Sequence, residues 1–473
     1  MIYLYNTASK KKEQFVPIKA NKATVYSCGP TVYDYPHIGN WYSFIRWDVL
    51  VSNLRYNAYD VDWVMNITDV GHLVSDADEG EDKLEKGARR EGKTARQIAD
   101  YYTRYYQSAL ERLQFGELTH QPQATHYIDE QIALIKTLED KGFTYKIDDG
   151  IYFNTQLFPN YGAIANIKND KLKAGARVEF NPQKKNPTDF ALWKFSPSKQ
   201  TRDMEWDSPW GVGFPGWHIE CSAMSMSLLG PTLDIHTGGI DHITVHHPNE
   251  IAQSEAATNQ PFAHYWLHSN FTKVNGKKMS KSLGNLITLE DIEAKGYDLQ
   301  SFRLLIQESH YRKEAQFSWD VLEAAHNRLK RWSQLSTLIW QQQSAVRVDD
   351  SRIATVAKQI EDAFESMKSA MNDDMNTPQV LTHIEDVMHA IEKYGMHVAY
   401  ANVFNEILQY IASVMHIQLV QADISLEQKE MMQQRAQARL DKDWQQSDAV
   451  RQELLEQGIA IDDTSYGQRW YRI

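Results

Sequence analysis

The chain has 473 residues, 42% hydrophobic and 24% charged, with a formal net charge of −12 and two cysteines. That length exceeds one core and predicts about three or four domains. The composition excludes a disordered or fibrous chain, and no run of about 18 apolar residues marks a membrane span. The acidic balance argues against broad, sequence-independent nucleic-acid binding but leaves room for a partner on a local basic patch.

Residues 1–5 lack the basic and apolar regions of a secretory leader, and two widely spaced thiols then predict a reducing, cytoplasmic setting. Residues 23–26 predict a buried strand. Phe44, Trp47, Val51 and Leu54, at spacings of three and four, predict a helix over 41–54 with one buried face. Between them, residues 27–40 read Ser-Cys-Gly-Pro-Thr-Val-Tyr-Asp-Tyr-Pro-His-Ile-Gly-Asn, a strand-to-helix turn. In an open parallel sheet such turns line the ligand crevice. Gly29 and Gly39 allow close backbone approach, and His37 stands where a helix N-terminus can face a phosphate. Cys28 ends the strand toward the same crevice, although a lone cysteine is as readily a small buried hydrophobe.

Alternating residues over 59–69 predict a second strand ending in Asn66-Ile67-Thr68-Asp69. The charge-dense run 75–100 reads as a solvated loop and helix face. Helices are predicted over 95–113 and 127–141. From 149 to about 207, β-like pieces alternate with Pro, Asn, Gly and Lys, which predicts a module inserted into a split α/β domain. The α/β pattern resumes at 215–221, with a helix to 229 and a strand over 232–237 that ends in Gly238-Gly239-Ile240-Asp241. A helix then runs from His246 through residue 258, with Pro248 suited to its first turn. His246 and Glu250, four apart, share a face. Residues 276–285 form a basic loop able to wrap phosphates. Helices over 323–344, 353–371, 379–394 and 403–416, with a connector at 372–378, predict a bundle of four. Residues 425–473 read as two helices and a short hairpin near 458–463, with seven Lys or Arg against nine Asp or Glu.

Cys28, Cys221, His246 and Glu250 together offer two thiolates, an imidazole and a carboxylate, a set suited to zinc. Their spacing is not that of a compact finger. They meet only if the sheet gathers them; otherwise they are two buried thiols and a solvated pair.

Pro36-His37-Ile38-Gly39-Asn40 resembles the HIGH motif of class I aminoacyl-tRNA synthetases, with Asn40 at its second histidine, and Lys278-Met279-Ser280-Lys281-Ser282 matches KMSKS. The words at 28–34, 189–194, 216–222 and 238–241, and the tail from 439 to 470, resemble the cysteinyl-tRNA synthetases over essentially the whole chain. The resemblance implies a split Rossmann-like α/β catalytic domain with an inserted module, then a helical bundle and a small C-terminal α+β module. It divides the chain into 1–111 and 215–260 (catalytic halves), 112–214 (connective module), 261–320 (stem-contact region with the KMSKS loop), 321–422 (tRNA-binding bundle) and 423–473 (anticodon-binding module).

It further implies that Cys28, Cys221, His246 and Glu250 hold one zinc ion, which takes the thiolate of substrate cysteine. His37, Asn40, Lys278 and Lys281 would serve the triphosphate of ATP, which arrives with Mg²⁺. Gly39, Gly238, Gly239 and Asp241, with Lys281, would hold the nucleotide. Thr68, Trp217 and His218, with Cys28, would surround the amino acid. The implied partners are tRNA(Cys), cysteine and ATP, with no membrane, for a monomeric enzyme. Arg435, Arg439, Lys442, Arg469 and Trp470 are candidates for reading the anticodon. A rival on the same scaffold joins cysteine to an amino sugar of a thiol cofactor, but such relatives lack the C-terminal module. A non-catalytic RNA-binding protein is opposed by the intact His37 and residues 278–282.

Overall fold

The computed structural model describes residues 1–71, 83–165, 181–196, 202–279, 284–341 and 350–473. Two compact units emerge: Met1–Ile292 with Tyr311–Phe317, and Glu293–His310 with Ser318–Ile473.

The first unit is built on a parallel sheet of four strands in the order Ala263–Ser269, Leu233–Gly239, Lys22–Ser27, Asp60–Met65. Its strands are largely buried although they carry polar residues such as Asp234, His236 and His268. The connection from Lys22–Ser27 runs to Asp60–Met65 and that from its neighbour Leu233–Gly239 runs to Ala263–Ser269, toward opposite edges, so the switch point lies between these two strands and the crevice opens at Cys28 and Gly238. Strand Ala263–Ser269, in the segment expected to contact the tRNA stem, is the edge of this sheet.

Helix Ile38–Tyr56 departs from the one-faced expectation. Trp41, Tyr42, Ile45, Trp47, Leu50 and Leu54 are all buried, which takes in most of its circumference. The cause is packing on several sides: Trp41 stacks on Tyr106 at 5.7 Å, and Trp47 meets Tyr311 edge-on at 5.8 Å. Helix Ala95–Arg112 starts at a reciprocal cap, Thr94 and Gln97 each accepting from the other's backbone N–H.

A second, antiparallel sheet has the order Thr144–Ile147, Gly150–Phe153, Phe190–Phe195, Gly213–Pro215. Asp189 clamps it, accepting from Thr155 N–H, Thr155 Oγ1, Tyr145 Oη and Asn186 N–H at 2.8–2.9 Å. Helices Trp217–Leu229 and His246–Thr258 lie between the sheets. Ile219, Ala223 and Ala252 pack on Phe153, Phe190 and Leu192, while Cys221 and Met224 pack with Tyr26, Cys28 and Trp266. This sandwich fixes the angle at which both helices meet the crevice.

The second unit contains helices Leu299–Gln307, Trp319–Ser336, Asp350–Asn372, Thr377–Tyr394 and Val398–Tyr410. The helix expected to reach 344 ends at Ser336, followed by a tighter turn over Thr337–Trp340. There the hydroxyls of Ser336 and Thr337 donate to the carbonyls of Leu419 and Trp470. Those tertiary bonds redirect the chain, and residues 342–344 lie outside the described residues. Helices Leu426–Leu440 and Trp444–Glu456 pack on a hairpin of Ile459–Thr464 and Gly467–Arg472, longer than expected because its second arm is polar on one face.

Two anticodon candidates change character here. Arg435 and Trp470 are buried, Arg435 in a bidentate pair with Asp463 and Trp470 in the module's apolar core. Arg469 is tied to Asp462. Arg439 lies 5.6 Å from the ring of the exposed Trp444.

Candidate metal centre and nucleotide cavity

Cys28 follows the central strand, and its N–H donates to Thr237 O across the switch point at 3.2 Å. Cys221 sits in the second turn of Trp217–Leu229, and His246 and Glu250 are the first and fifth residues of His246–Thr258. One ligand atom from each of these four lies within 4.8 Å of the other three, and all four residues are buried. Zinc bonds of about 2.0–2.3 Å in a tetrahedron fit within that spread.

The surroundings aim the donors. His218 Nδ1 lies 2.9 Å from His246 Nδ1, which leaves His246 Nε2 toward the cluster. His236 Nε2 holds Glu250 Oε2 at 2.8 Å, and Oε1 receives no hydrogen bond while lying 3.0 Å from His246 Nε2. Outer partners of this kind fix ligand orientation. Burial pushes the Cys28 thiol well up, whereas Cys221, accepting from Cys28, is lowered to about 7. Burial would lower His246, but the Glu250 carboxylate and Cys221 sulfur raise it to about 10. Burial would raise Glu250, but His236 and His246 hold it below the usual carboxylate range. A carboxylate, an imidazole and two thiols buried together form a donor set that a dication suits by displacing protons from the imidazole and the thiols.

Other histidines extend the cluster. His247 Nε2 lies 3.6 Å from Cys28 Sγ, His247 Nδ1 lies 2.8 Å from His268 Nε2, and His268 Nδ1 lies 2.8 Å from Thr7 Oγ1. Cys28, His236 and His247 form a second group of mutually close donors. The sequence reading missed His236 and His268. Their signal was a histidine in a strand beside the crevice-lining segment, and a buried polar group needs a partner.

A cavity of about 490 Å³ adjoins the cluster, lined by Cys28, His37, Gly39, Asn40, Gly238, Gly239 and Asp241 and also by Ser269, Lys273, Met279 and Glu314. His37 caps helix Ile38–Tyr56, and Asn40 Oδ1 accepts from its N–H at 3.1 Å. Asn40 thus fixes the turn and retains Nδ2 as a donor. A Cβ on Gly29 would lie 1.8 Å from Asn66 O, so only glycine fits there.

Thr68 is buried and accepts from Asn66 Nδ2 at 3.0 Å. The Trp217 ring is tilted against His246 with ring centres 4.5 Å apart, beside His218. Neither Thr68, Trp217 nor His218 lines the cavity itself. Lys281 and the side chain of Lys278 lie outside what is described, as does most of the charged run's first third.

Residues 14–327 match the description "tRNA synthetases class I (C) catalytic domain", and residues 366–419 match a DALR domain. The cysteine–tRNA ligase of Treponema denticola is 40% identical, with 99% of each chain covered. Cysteine–tRNA ligase 1 of Burkholderia lata is 42% identical over 99% of this chain and 96% of its own. The fold resembles that of Mycobacterium tuberculosis methionyl-tRNA synthetase (TM-score 0.60, 16% identity, 84% of this chain and 92% of that one). The chain belongs to the cysteine–tRNA ligase family of class I tRNA synthetases.

Proposed function

We propose that the chain activates cysteine with ATP, giving cysteinyl-adenylate and pyrophosphate, and then passes cysteine to the 3′ end of tRNA(Cys). One observation carries this reading: Cys28 belongs both to the buried four-donor cluster and to the wall of the cavity bordered by His37 and Asn40. A thiol-binding centre and a nucleotide site then share a wall, as joining cysteine to ATP demands.

An α-carboxylate oxygen of cysteine attacks the α-phosphorus, and the bond to the pyrophosphate oxygen breaks. Negative charge grows on the leaving group, where donors fixed beforehand lower the barrier. His37, Asn40, Lys278 and Lys281 take that role. Gly39, Gly238 and Gly239 admit the nucleotide close to the backbone, and Asp241 accepts from its hydroxyls. ATP brings Mg²⁺. Thr68, Trp217 and His218 border the amino acid, and His218 also holds the His246 ring. Zinc, held by Cys28, Cys221, His246 and Glu250, would supply a soft acceptor for the substrate thiolate and reject serine by about 10⁴-fold without an editing site.

Residues 1–111 and 215–260 would carry catalysis, 112–214 would connect the halves, 261–320 would meet the acceptor stem, and 321–422 and 423–473 would grip the tRNA. An exposed Trp444 beside Arg439 suits stacking of an unpaired base. Two free buried thiols acting as ligands suit a reducing cytoplasm, and a monomer is the simplest assembly. The DALR match at 366–419 favours tRNA over an amino sugar as acceptor. Cysteine-dependent ATP–pyrophosphate exchange followed by cysteine transfer to tRNA is the expected result. No exchange would refute the enzyme, and transfer only to an amino sugar would replace its acceptor.

A further inference from the structure

We propose that Lys273 binds the pyrophosphate end of ATP, with Glu314 as the counter-ion it releases when nucleotide enters. The inference rests on reading the cavity as the ATP site. Among the described residues that line it, Lys273 is the one lysine or arginine, against two carboxylates, Asp241 and Glu314. A cavity for a polyanion needs fixed positive charge.

Lys273 has a rigid seat. Its strand, Thr272–Val274, pairs in parallel with Ala315–Phe317, and Asn275 N–H donates to Phe317 O at 3.0 Å. On its other side it pairs with Lys277–Lys278, with Lys273 directly opposite Lys278. Lys273 Nζ lies 2.9 Å from Glu314 Oε1.

That ion pair is built to exchange. The two side chains are 36% and 39% exposed, and such pairs contribute little stability. Phosphate oxygens offer shorter, stronger charge-assisted bonds. Gln316 Nε2 also donates to Glu314 Oε1 at 3.1 Å, so the carboxylate keeps a partner when the lysine turns away.

The test is ATP–pyrophosphate exchange on full-length wild type, Lys273→Ala, Lys273→Arg, Glu314→Gln and the Lys273→Ala/Glu314→Gln double variant. Lys273→Ala should raise KM for ATP and pyrophosphate about tenfold and leave KM for cysteine unchanged. Lys273→Arg should stay within about threefold of wild type, since the charge remains. Glu314→Gln should lower KM for pyrophosphate about two- to threefold by freeing the lysine. The double variant should remain as impaired as Lys273→Ala. Recovery of wild-type values in the double variant would mean that Lys273 only neutralises Glu314, and the proposal would fall. It would fall equally if Lys273→Ala left both phosphate-substrate KM values unchanged while wild type exchanges normally. Absence of exchange in wild type would remove the activity reading and this inference with it.

Discussion

Gly39 shows how closely the cavity wall is drawn around His37 and Met279. A Cβ there would meet Met279 Cε at 2.5 Å and His37 Cε1 at 2.9 Å. Gly39→Ala must move the His37 ring or Met279, and displacement of about 1 Å at a reacting centre costs about 10²-fold in rate. Exchange kcat should drop by about that factor while the melting temperature holds; an unchanged kcat would free Gly39 from this role. Cys221→Ser replaces a thiolate with a hydroxyl in a site packed for sulfur. Zinc measured by elemental analysis should fall well below one per chain, and full occupancy would contradict the ligand set. At this scale the sequence was legible only through its resemblance to a family. Cys28, Cys221, His246 and Glu250 sit on three separate elements, so no spacing rule joins them. Arg435 illustrates the opposite error: charge alone made it a nucleic-acid candidate, but burial makes it structural.

Among the elements, helices were legible from apolar spacing but their ends were not: the one expected over 403–416 runs Val398–Tyr410, although capping chemistry is local. Thr94 with Gln97, Ser425 with Gln428, and Asn376 with Pro378 all start helices as their residue types dictate. Helix Ile38–Tyr56 was harder, since its burial on several faces depends on partners such as Tyr106 and Tyr311, distant in sequence. The C-terminal hairpin is held to Leu426–Leu440 by Arg435, whose guanidinium meets both Asp463 oxygens at 2.9 Å. That bond from Arg435 lowers the Asp463 carboxyl below its ordinary value. A depressed carboxylate contributes stability above its unfolded pKa and loses it as pH falls through the folded one. Asp463→Asn should therefore destabilise the protein by about 1–3 kcal/mol near neutrality by weakening the partner of a buried guanidinium. In urea melts the gap from wild type should close as pH drops below about 4. A gap that persists in acid would assign the loss to packing instead.

The whole molecule carries a net charge of −12, yet residues 83–112 hold eight Lys or Arg against four Asp or Glu. A polyanionic partner can therefore be met locally by a chain that is acidic in sum. Trp444→Ala should raise KM for tRNA about tenfold, with a far smaller effect on exchange, because stacking on an exposed aromatic serves the acceptor and not ATP. Equal effects on both would point to misfolding. Among the described residues no helix is long and apolar enough to cross a membrane. The parallel sheet and its inserted partner were legible as a change in texture near residue 149. What the sequence did not reveal is that the two sheets clamp the helices bearing Cys221, His246 and Glu250 from opposite sides. That sandwich arises from contacts between segments far apart in the chain. The most direct measurement is X-ray absorption at the zinc edge of the purified protein, with and without cysteine. The account predicts two sulfur and two nitrogen or oxygen neighbours at rest, and a third sulfur at about 2.3 Å when cysteine, but not serine, is added. A protein without zinc, or a shell that cysteine leaves unchanged, would contradict it.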